Sequence, residues 1–260
     1  MDDMEQEVVS RIRRALDGSF GELSIQFLPE TDSTNLRLKE WAREGCIAPP
    51  FLLVADSQTA GRGRLGRRFV SPAGTGLYMS LLVPAPKEAD HGLITILAAV
   101  AVCRAIEETA DLQPRIKWVN DLFVHGRKVC GILAEKIEQG IVIGIGVNLR
   151  TPPGGFPAEA GMAGALERNL DRAVLAGRIA RHLLSGLPNL RDPALIAAYR
   201  ARMPLLGAQI QYSQDGQTKN ARVTGVAADG GLMVLTPDGP ETLRCGEVTL
   251  GSEAVSRWMG

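Results

Sequence analysis

The sequence predicts an α+β fold: a mixed, largely antiparallel sheet with helices packed on it, followed by a small all-β barrel. Three observations carry this. Between Arg115 and Leu149, β-rich runs are separated only by the turn residues Asn120-Asp121, His125-Gly126 and Gln139-Gly140, which leaves no room for the crossover helices that parallel strands require. Helical stretches stand apart from these strands instead of alternating with them. After Pro204 the texture changes to short β-patterned runs broken by Asp215-Gly216, Asp229-Gly230-Gly231 and Asp238-Gly239-Pro240, the pattern of about five short strands over roughly 206–255. The expected domains are 1–204 and 205–260.

In order, residues 4–16 read as an amphipathic helix and Leu23 to Leu28 as a strand. The polar turn Pro29-Glu30-Thr31-Asp32-Ser33-Thr34-Asn35 leads into a helix at about 34–44, with Ser33 or Thr34 available as its cap. Strands at Phe51–Asp56 and Gly76–Val83 flank a glycine-arginine loop. A helix follows at about 91–110, and its apolar run Leu93 to Cys103 is too short to span a bilayer. Beyond the β-rich stretch, Thr151 to Gly164 is rich in Gly, Pro and Ala and reads as a long surface loop. Two helices at about 171–186 and 193–203 close the first domain, the second with Asp192 as N-cap and Pro193 at its first position.

The chain has 260 residues, 45% apolar and 22% charged, with zero formal net charge. Such a balance excludes bulk nucleic-acid or membrane-surface binding. Cys46, Cys103, Cys130 and Cys245 are scattered, as reduced thiols of a cytoplasmic protein are, and His91, His125 and His182 lack the spacing of a zinc site. The acidic start, Met1-Asp2-Asp3-Met4-Glu5, is no signal peptide.

Chemistry concentrates in Gly61-Arg62-Gly63-Arg64-Leu65-Gly66-Arg67. Glycines let backbone N–H groups approach a ligand, and arginines add planar, permanently charged donor forks, so the loop is built to wrap an anion. Its glycines also fit the dinucleotide fingerprint, but that motif requires a helix to begin within it. Here Arg67-Arg68-Phe69-Val70-Ser71-Pro72 follows, a short extended piece, and the dinucleotide reading fails.

Two further polar clusters stand beside this loop in sequence: Asp32-Ser33-Thr34-Asn35, and Lys117-Trp118-Val119-Asn120-Asp121 with Lys128. Together with Gln58–Arg67, Gly126–Leu133 and Gly144–Asn148, and in this order, they resemble the biotin protein ligases, in the short form without an N-terminal DNA-binding domain. That resemblance runs over roughly 24–252, into the Cys245-Gly246-Glu247-Val248 stretch. It implies a catalytic domain like that of class II aminoacyl-tRNA synthetases and a C-terminal Src-homology-3-like barrel. It also implies ATP-dependent activation of biotin to biotinoyl-5′-AMP with Mg²⁺, then transfer to a lysine of a biotin carboxyl carrier protein, by a monomer or homodimer. The matching positions place biotin against Ser33, Thr34, Asn35, Gln58, Gly61, Arg62, Gly63, Arg64, Lys128 and Gly131. ATP would meet Arg62, Arg64, Arg67, Asn120, Lys128 and Asn148. Arg64, Lys128 and Asp121 would be catalytic, with Asp121 also a possible Mg²⁺ ligand and no other metal site expected.

The residues fit that chemistry on their own terms. Attack of a carboxylate on a polyphosphate builds no enzyme intermediate, so positioning and charge neutralisation must do the catalysis. A ureido ring needs a few fixed donors and acceptors in an otherwise apolar pocket, which Ser33, Thr34 and Gln58 carry. Strand alternation would pack Val129 and Leu133 in the core and turn Lys128 to the ligand face; His125 reads as a turn residue and Trp118 as core. Two departures stand out: Val119 replaces the proline of the K-W-P-N-D turn, and Gly251 stands where some relatives have an arginine near the nucleotide. Lipoate ligases, which share the fold and the adenylation chemistry, are the nearest rival, but their R-R-x-S-G-G-G stretch is missing. About 31 residues precede Asp32, too few for a winged-helix DNA-binding domain of roughly 60 residues, so no DNA partner is expected.

Overall fold

The computed structural model describes residues 3–85, 91–214, 217–244, 246 and 248–250. In chain order the elements are α1 (Asp3–Ala15), β1 (Ser24–Thr31), α2 (Thr34–Arg43), β2 (Phe51–Gln58), β3 (Gly76–Val83), α3 (His91–Ala110), β4 (Arg115–Lys117), β5 (Asp121–Val124), β6 (Arg127–Ile137) and β7 (Gly140–Asn148). Then come α4 (Arg172–Gly186), α5 (Pro193–Arg202), β8 (Gln209–Gln214), β9 (Gln217–Val226), β10 (Leu232–Thr236), β11 (Gly239–Leu243) and β12 (Val248–Leu250). The fold is α+β, as expected. A seven-stranded sheet runs β1-β2-β3-β7-β6-β5-β4, parallel only between β1 and β2, where α2 supplies the crossover. A separate five-stranded antiparallel sheet runs β11-β10-β9-β8-β12. The expected Asp215-Gly216 turn, Cys245, Glu247 and Gly251 lie outside the described residues.

Period-2 alternation decides which face of the large sheet binds what. Leu52, Val54, Leu81, Val83, Ile141 and Ile143 join the main core with α1, α3 and α4. Their neighbours Leu53, Leu82 and Val142 point the other way, onto Leu38 and Ala42 of α2. Because α2 is short, it covers only one end of that second face. Beyond it the same face continues as Ser80, Gly144, Gly146 and Gly131, which carry little bulk, and a cleft opens above the three glycines, with Leu133 also in its lining. Leu38→Ala would remove buried packing worth about 2–5 kcal/mol and loosen the helix that carries Ser33 to Asn35 into the cleft.

Two features correct the sequence reading. Leu122 pairs with Cys130 but Phe123 pairs with Lys128, so Val129 is the extra residue of a β-bulge. Val129 is buried, as expected, yet Leu133 lines the cleft, on the same face as Gly131. Lys128 reaches that face because the bulge shifts the alternation, not because Leu133 is core. Thr151 to Gly164 is likewise more than a surface loop: Lys128 N–H donates to Met162 O at 2.8 Å and Gly164 N–H to Lys128 O at 2.9 Å, strapping it onto β6.

Capping splits the same way. Asp192 accepts from Ala194 N–H at 2.8 Å, as its position before Pro193 predicts. Ser33 occupies the N-cap of α2 but its hydroxyl makes no cap bond. Asp32 takes the Ser33 N–H instead, at 2.7 Å.

Candidate active site

The cleft has a volume of about 1290 Å³, larger than the roughly 300–1,000 Å³ typical of one small-molecule site. It has two chemically distinct ends. At one end, where α2 begins, Thr34 N–H donates to Gln58 Oε1 at 2.9 Å and Gln58 Nε2 donates to Ser71 Oγ at 2.8 Å. Thr34 Oγ1 lies 3.1 Å from Gln58 Oε1 and 2.7 Å from Ser80 Oγ. Ser33, Thr34 and Asn35 are buried among these bonds between neutral groups.

The other end is charged. Lys128 Nζ lies 2.7 Å from Asp121 Oδ1. Arg64 Nη1 donates to Asn120 Oδ1 at 2.8 Å and Arg64 Nη2 to Gly246 O at 3.1 Å, a tie to the second sheet. Asn120 Nδ2 donates to Asp121 Oδ1 at 3.1 Å and to Ile132 O at 3.0 Å, so its amide links the arginine to the carboxylate. The turn bearing Asn120 and Asp121 is held from beneath. Trp118 Nε1 donates to Gly230 O at 3.0 Å and the buried Tyr199 hydroxyl to Val119 O at 3.3 Å; the Trp118–Val119 peptide bond is cis. Burial pushes the Tyr199 phenol well above its ordinary range, so it stays a neutral donor.

Glycines make the floor between the two ends. A Cβ on Gly146 would meet the Phe69 ring at 2.5 Å, and one on Gly131 would meet it at 3.3 Å. Phe69, just beyond the glycine-arginine loop, therefore rests on the sheet through these two gaps. The loop itself makes a single 3₁₀ turn, Arg64–Gly66, with Leu65 at φ 54 and Gly66 at φ 74. No α-helix starts there, in keeping with the failed dinucleotide reading.

Residues 27–148 match the model of the biotin/lipoate A/B protein ligase family. A biotin–[acetyl-CoA-carboxylase] ligase of Paracoccus denitrificans is 31% identical over 86% of this chain and 99% of its own length. This chain belongs to the biotin protein ligase family. A bifunctional ligase/repressor of Bacillus subtilis is 32% identical over 77% of this chain, but the match spans only 66% of that longer protein. Among solved structures, biotin protein ligase from Aquifex aeolicus in complex with biotin and ATP superposes with TM-score 0.74 at 30% identity, covering 88% of this chain and 98% of that one.

Of the positions singled out by resemblance to the biotin protein ligases, Ser33, Thr34, Asn35, Gln58, Arg62, Gly63, Arg64, Arg67, Asn120, Asp121, Lys128, Gly131 and Asn148 all line the one cleft. Gly61 does not. It lies behind the cleft wall, where a Cβ would strike Phe69 O and Ser71 Oγ, so its role is close packing. Asn35 reaches the wall with its amide already used: Nδ2 donates to Leu133 O at 3.2 Å and Glu135 Oε2 at 2.8 Å, and Oδ1 lies 2.6 Å from Ser80 Oγ. Asn148 Nδ2 donates to Gly164 O at 2.9 Å, in the strap.

Sequence reasoning missed Phe69, Ser71, Ser80, Glu135 and the strap residues Phe156 to Ala163. The signal for Phe69 was present, since Gly131 and Gly146 imply a bulky neighbour. Among the described residues no cluster of three metal-binding side chains occurs, and no helix is long and apolar enough to cross a membrane. Asp121 is one carboxylate already facing a lysine and an amide, which does not make a protein-built magnesium cage.

Proposed function

We propose that this chain joins biotin to ATP, forming biotinoyl-5′-AMP and pyrophosphate, and then passes the biotinoyl group to one lysine of a biotin carboxyl carrier domain. The observation that carries the reading is continuity. A neutral cluster able to read a ureido ring (Ser33, Thr34, Gln58) and a cationic cluster able to hold phosphates (Arg62, Arg64, Lys128) line one space large enough for both ligands. Gln58 keeps one Nε2 hydrogen for a ureido oxygen, and Ser33, whose hydroxyl makes no cap bond, lines the same cleft.

In the first step a biotin carboxylate oxygen bonds to the α-phosphorus of ATP as the bond to the β-phosphate bridge breaks. Arg64 and Lys128 neutralise charge on the α-phosphate, and Asp121 and Asn120 hold those two cations in place. Magnesium belongs to the nucleotide, travelling on its phosphates with Asp121 at hand. In the second step the carrier's amine bonds to the acyl carbon and AMP leaves, with Asp121 as the carboxylate that takes the amine's proton. Asn148 lies at the strap end, where the adenine would lie.

Residues 1–204 are the catalytic domain in this reading, and 205–260 an appendage that steadies Arg64 through Gly246. A cytoplasmic setting suits the free, buried thiols of Cys103 and Cys130. A lipoate-ligase reading is not favoured, because the relatives named above are biotin ligases. The test mixes the purified chain with biotin, ATP and a biotin carboxyl carrier domain. Pyrophosphate release matched by one biotinoyl addition per carrier supports the reading, and an unmodified carrier contradicts it.

A further inference from the structure

The strap along the cleft ends on Gly164, and this residue touches two cleft-lining positions at once. Its N–H donates to Lys128 O at 2.9 Å, and its carbonyl accepts from Asn148 Nδ2 at 2.9 Å. Lys128 N–H donates to Met162 O at 2.8 Å and Leu166 N–H to Asn148 O at 3.0 Å, which holds the chain on either side of it. Gly164 O is therefore placed by backbone bonds to both β6 and β7.

That placement decides how Asn148 presents itself. A carbonyl can only accept, so the NH₂ of the amide, not its oxygen, faces Gly164. Among the described residues this is the one hydrogen bond of the Asn148 side chain. Oδ1 and the second Nδ2 hydrogen are left for the cleft that Asn148 lines. One acceptor beside one donor matches the edge of adenine, whose 6-amino group donates and whose N7 accepts. A 6-oxopurine carries acceptors at both places. Its O6 would meet Oδ1, and turning the NH₂ onto O6 would give up the bond to Gly164.

We infer that Gly164 is a positioning residue that locks the Asn148 amide in favour of an adenine base and against a 6-oxopurine. This rests on the biotin and ATP reading, in which the base lies at the strap end. The lock needs glycine, because a Cβ there would meet Arg127 Cβ at 2.5 Å and Cγ at 3.0 Å. Arg127 is paired with Val124 across the β5–β6 hairpin, whereas Gly164 lies outside any strand, so the strap is what yields. With Gly164 O withdrawn, Asn148 can turn both Nδ2 hydrogens onto O6 and N7.

Gly164→Ala tests this, with Gly164→Val as a bulkier displacement of the same carbonyl. Calorimetry on the whole chain with Mg²⁺, titrating ATP and inosine triphosphate separately, should show the parent preferring ATP roughly 5- to 150-fold. Both variants should lose most of that preference. Arg127 is exposed, and Arg127→Gly removes both clashing atoms, so adding it to Gly164→Ala should restore the preference. An equal loss of both nucleotides assigns Gly164 a merely structural role and overturns the inference. So does a preference that survives in both variants, or one that Arg127→Gly does not restore. A parent chain that binds the two nucleotides equally overturns it while sparing the biotin and ATP reading. A parent chain that binds neither overturns both.

Discussion

Lys128 meets Asp121 at 2.7 Å only because Val129 is squeezed out of register between β5 and β6. In a regular strand Lys128 would share the core face of Cys130, which is fully buried. The bulge is thus the backbone device that brings a lysine to the ligand face directly beside a carboxylate. Bulges recur near active sites for this reason: they re-aim a side chain at little cost to the ladder.

Lys128→Ala should therefore strike chemistry and spare the fold. One well-placed cation at a developing phosphate charge is worth roughly 10²–10³ in rate. The ion pair is partly open to solvent, with side chains 32% and 19% exposed, so its loss should shift stability by only about 0.5 kcal/mol. Single-turnover formation of biotinoyl-AMP, with a melt as control, reads this. Full-speed adenylation would make Lys128 an ordinary strand lysine.

Gln58→Ala should weaken biotin binding by about 5- to 150-fold and leave ATP binding almost untouched. Gln58 bridges Thr34 and Ser71, so truncation removes one ligand donor and leaves the Thr34 N–H unpaired. Separate titrations of the two ligands decide it, and an unaltered biotin affinity would take Gln58 out of the pocket.

Gly146→Ala tests the glycine floor without any ligand. The new methyl would meet the Phe69 ring at 2.5 Å, and such overpacking costs about 1–3 kcal/mol. At about 2–4 °C per kcal/mol for a chain of this size, the melting temperature should drop by roughly 2–12 °C. Adding Phe69→Ala should restore most of it. A Gly146→Ala variant that melts normally would mean that Phe69 does not rest on this floor.

The thiols give a further check on packing. Burial pushes Cys103 and Cys130 well above the ordinary thiol range, whereas Cys46 is exposed. Thiolate is the reactive form, so at pH 8 a maleimide should label Cys46 in the native chain and reach Cys103 and Cys130 only after denaturation. Mass mapping of tryptic peptides reports it, and native labelling at Cys130 would contradict the packing beneath Lys128.

Much of this was legible in the sequence because it is written in local signals. Turn dipeptides between β-rich runs gave the antiparallel strands, and Asp192-Pro193 gave the start of α5. The polar clusters at Ser33, Gln58, Arg64 and Asn120 announced themselves by type and order. What escaped reading depends on distant partners. No local pattern shows that Val129 bulges, since that is decided by how β6 registers on β5. Nor does Asn35 show in sequence that its amide is spent on Leu133 and Glu135, about a hundred residues away. Ser80 sits in an apolar strand, where a lone serine passes for a neutral filler, and the strap 151–164 has too little periodicity to reveal its pairing with Lys128.

The most direct test of the central claim needs no carrier protein. If one cleft holds biotin and ATP and joins them reversibly, labelled pyrophosphate should enter ATP only when biotin is present. Lipoate or octanoate, which lack the ureido ring, should not replace it. Exchange that is biotin-dependent and abolished by Lys128→Ala is the result this account expects. Exchange without biotin, or exchange supported equally by lipoate, would contradict it.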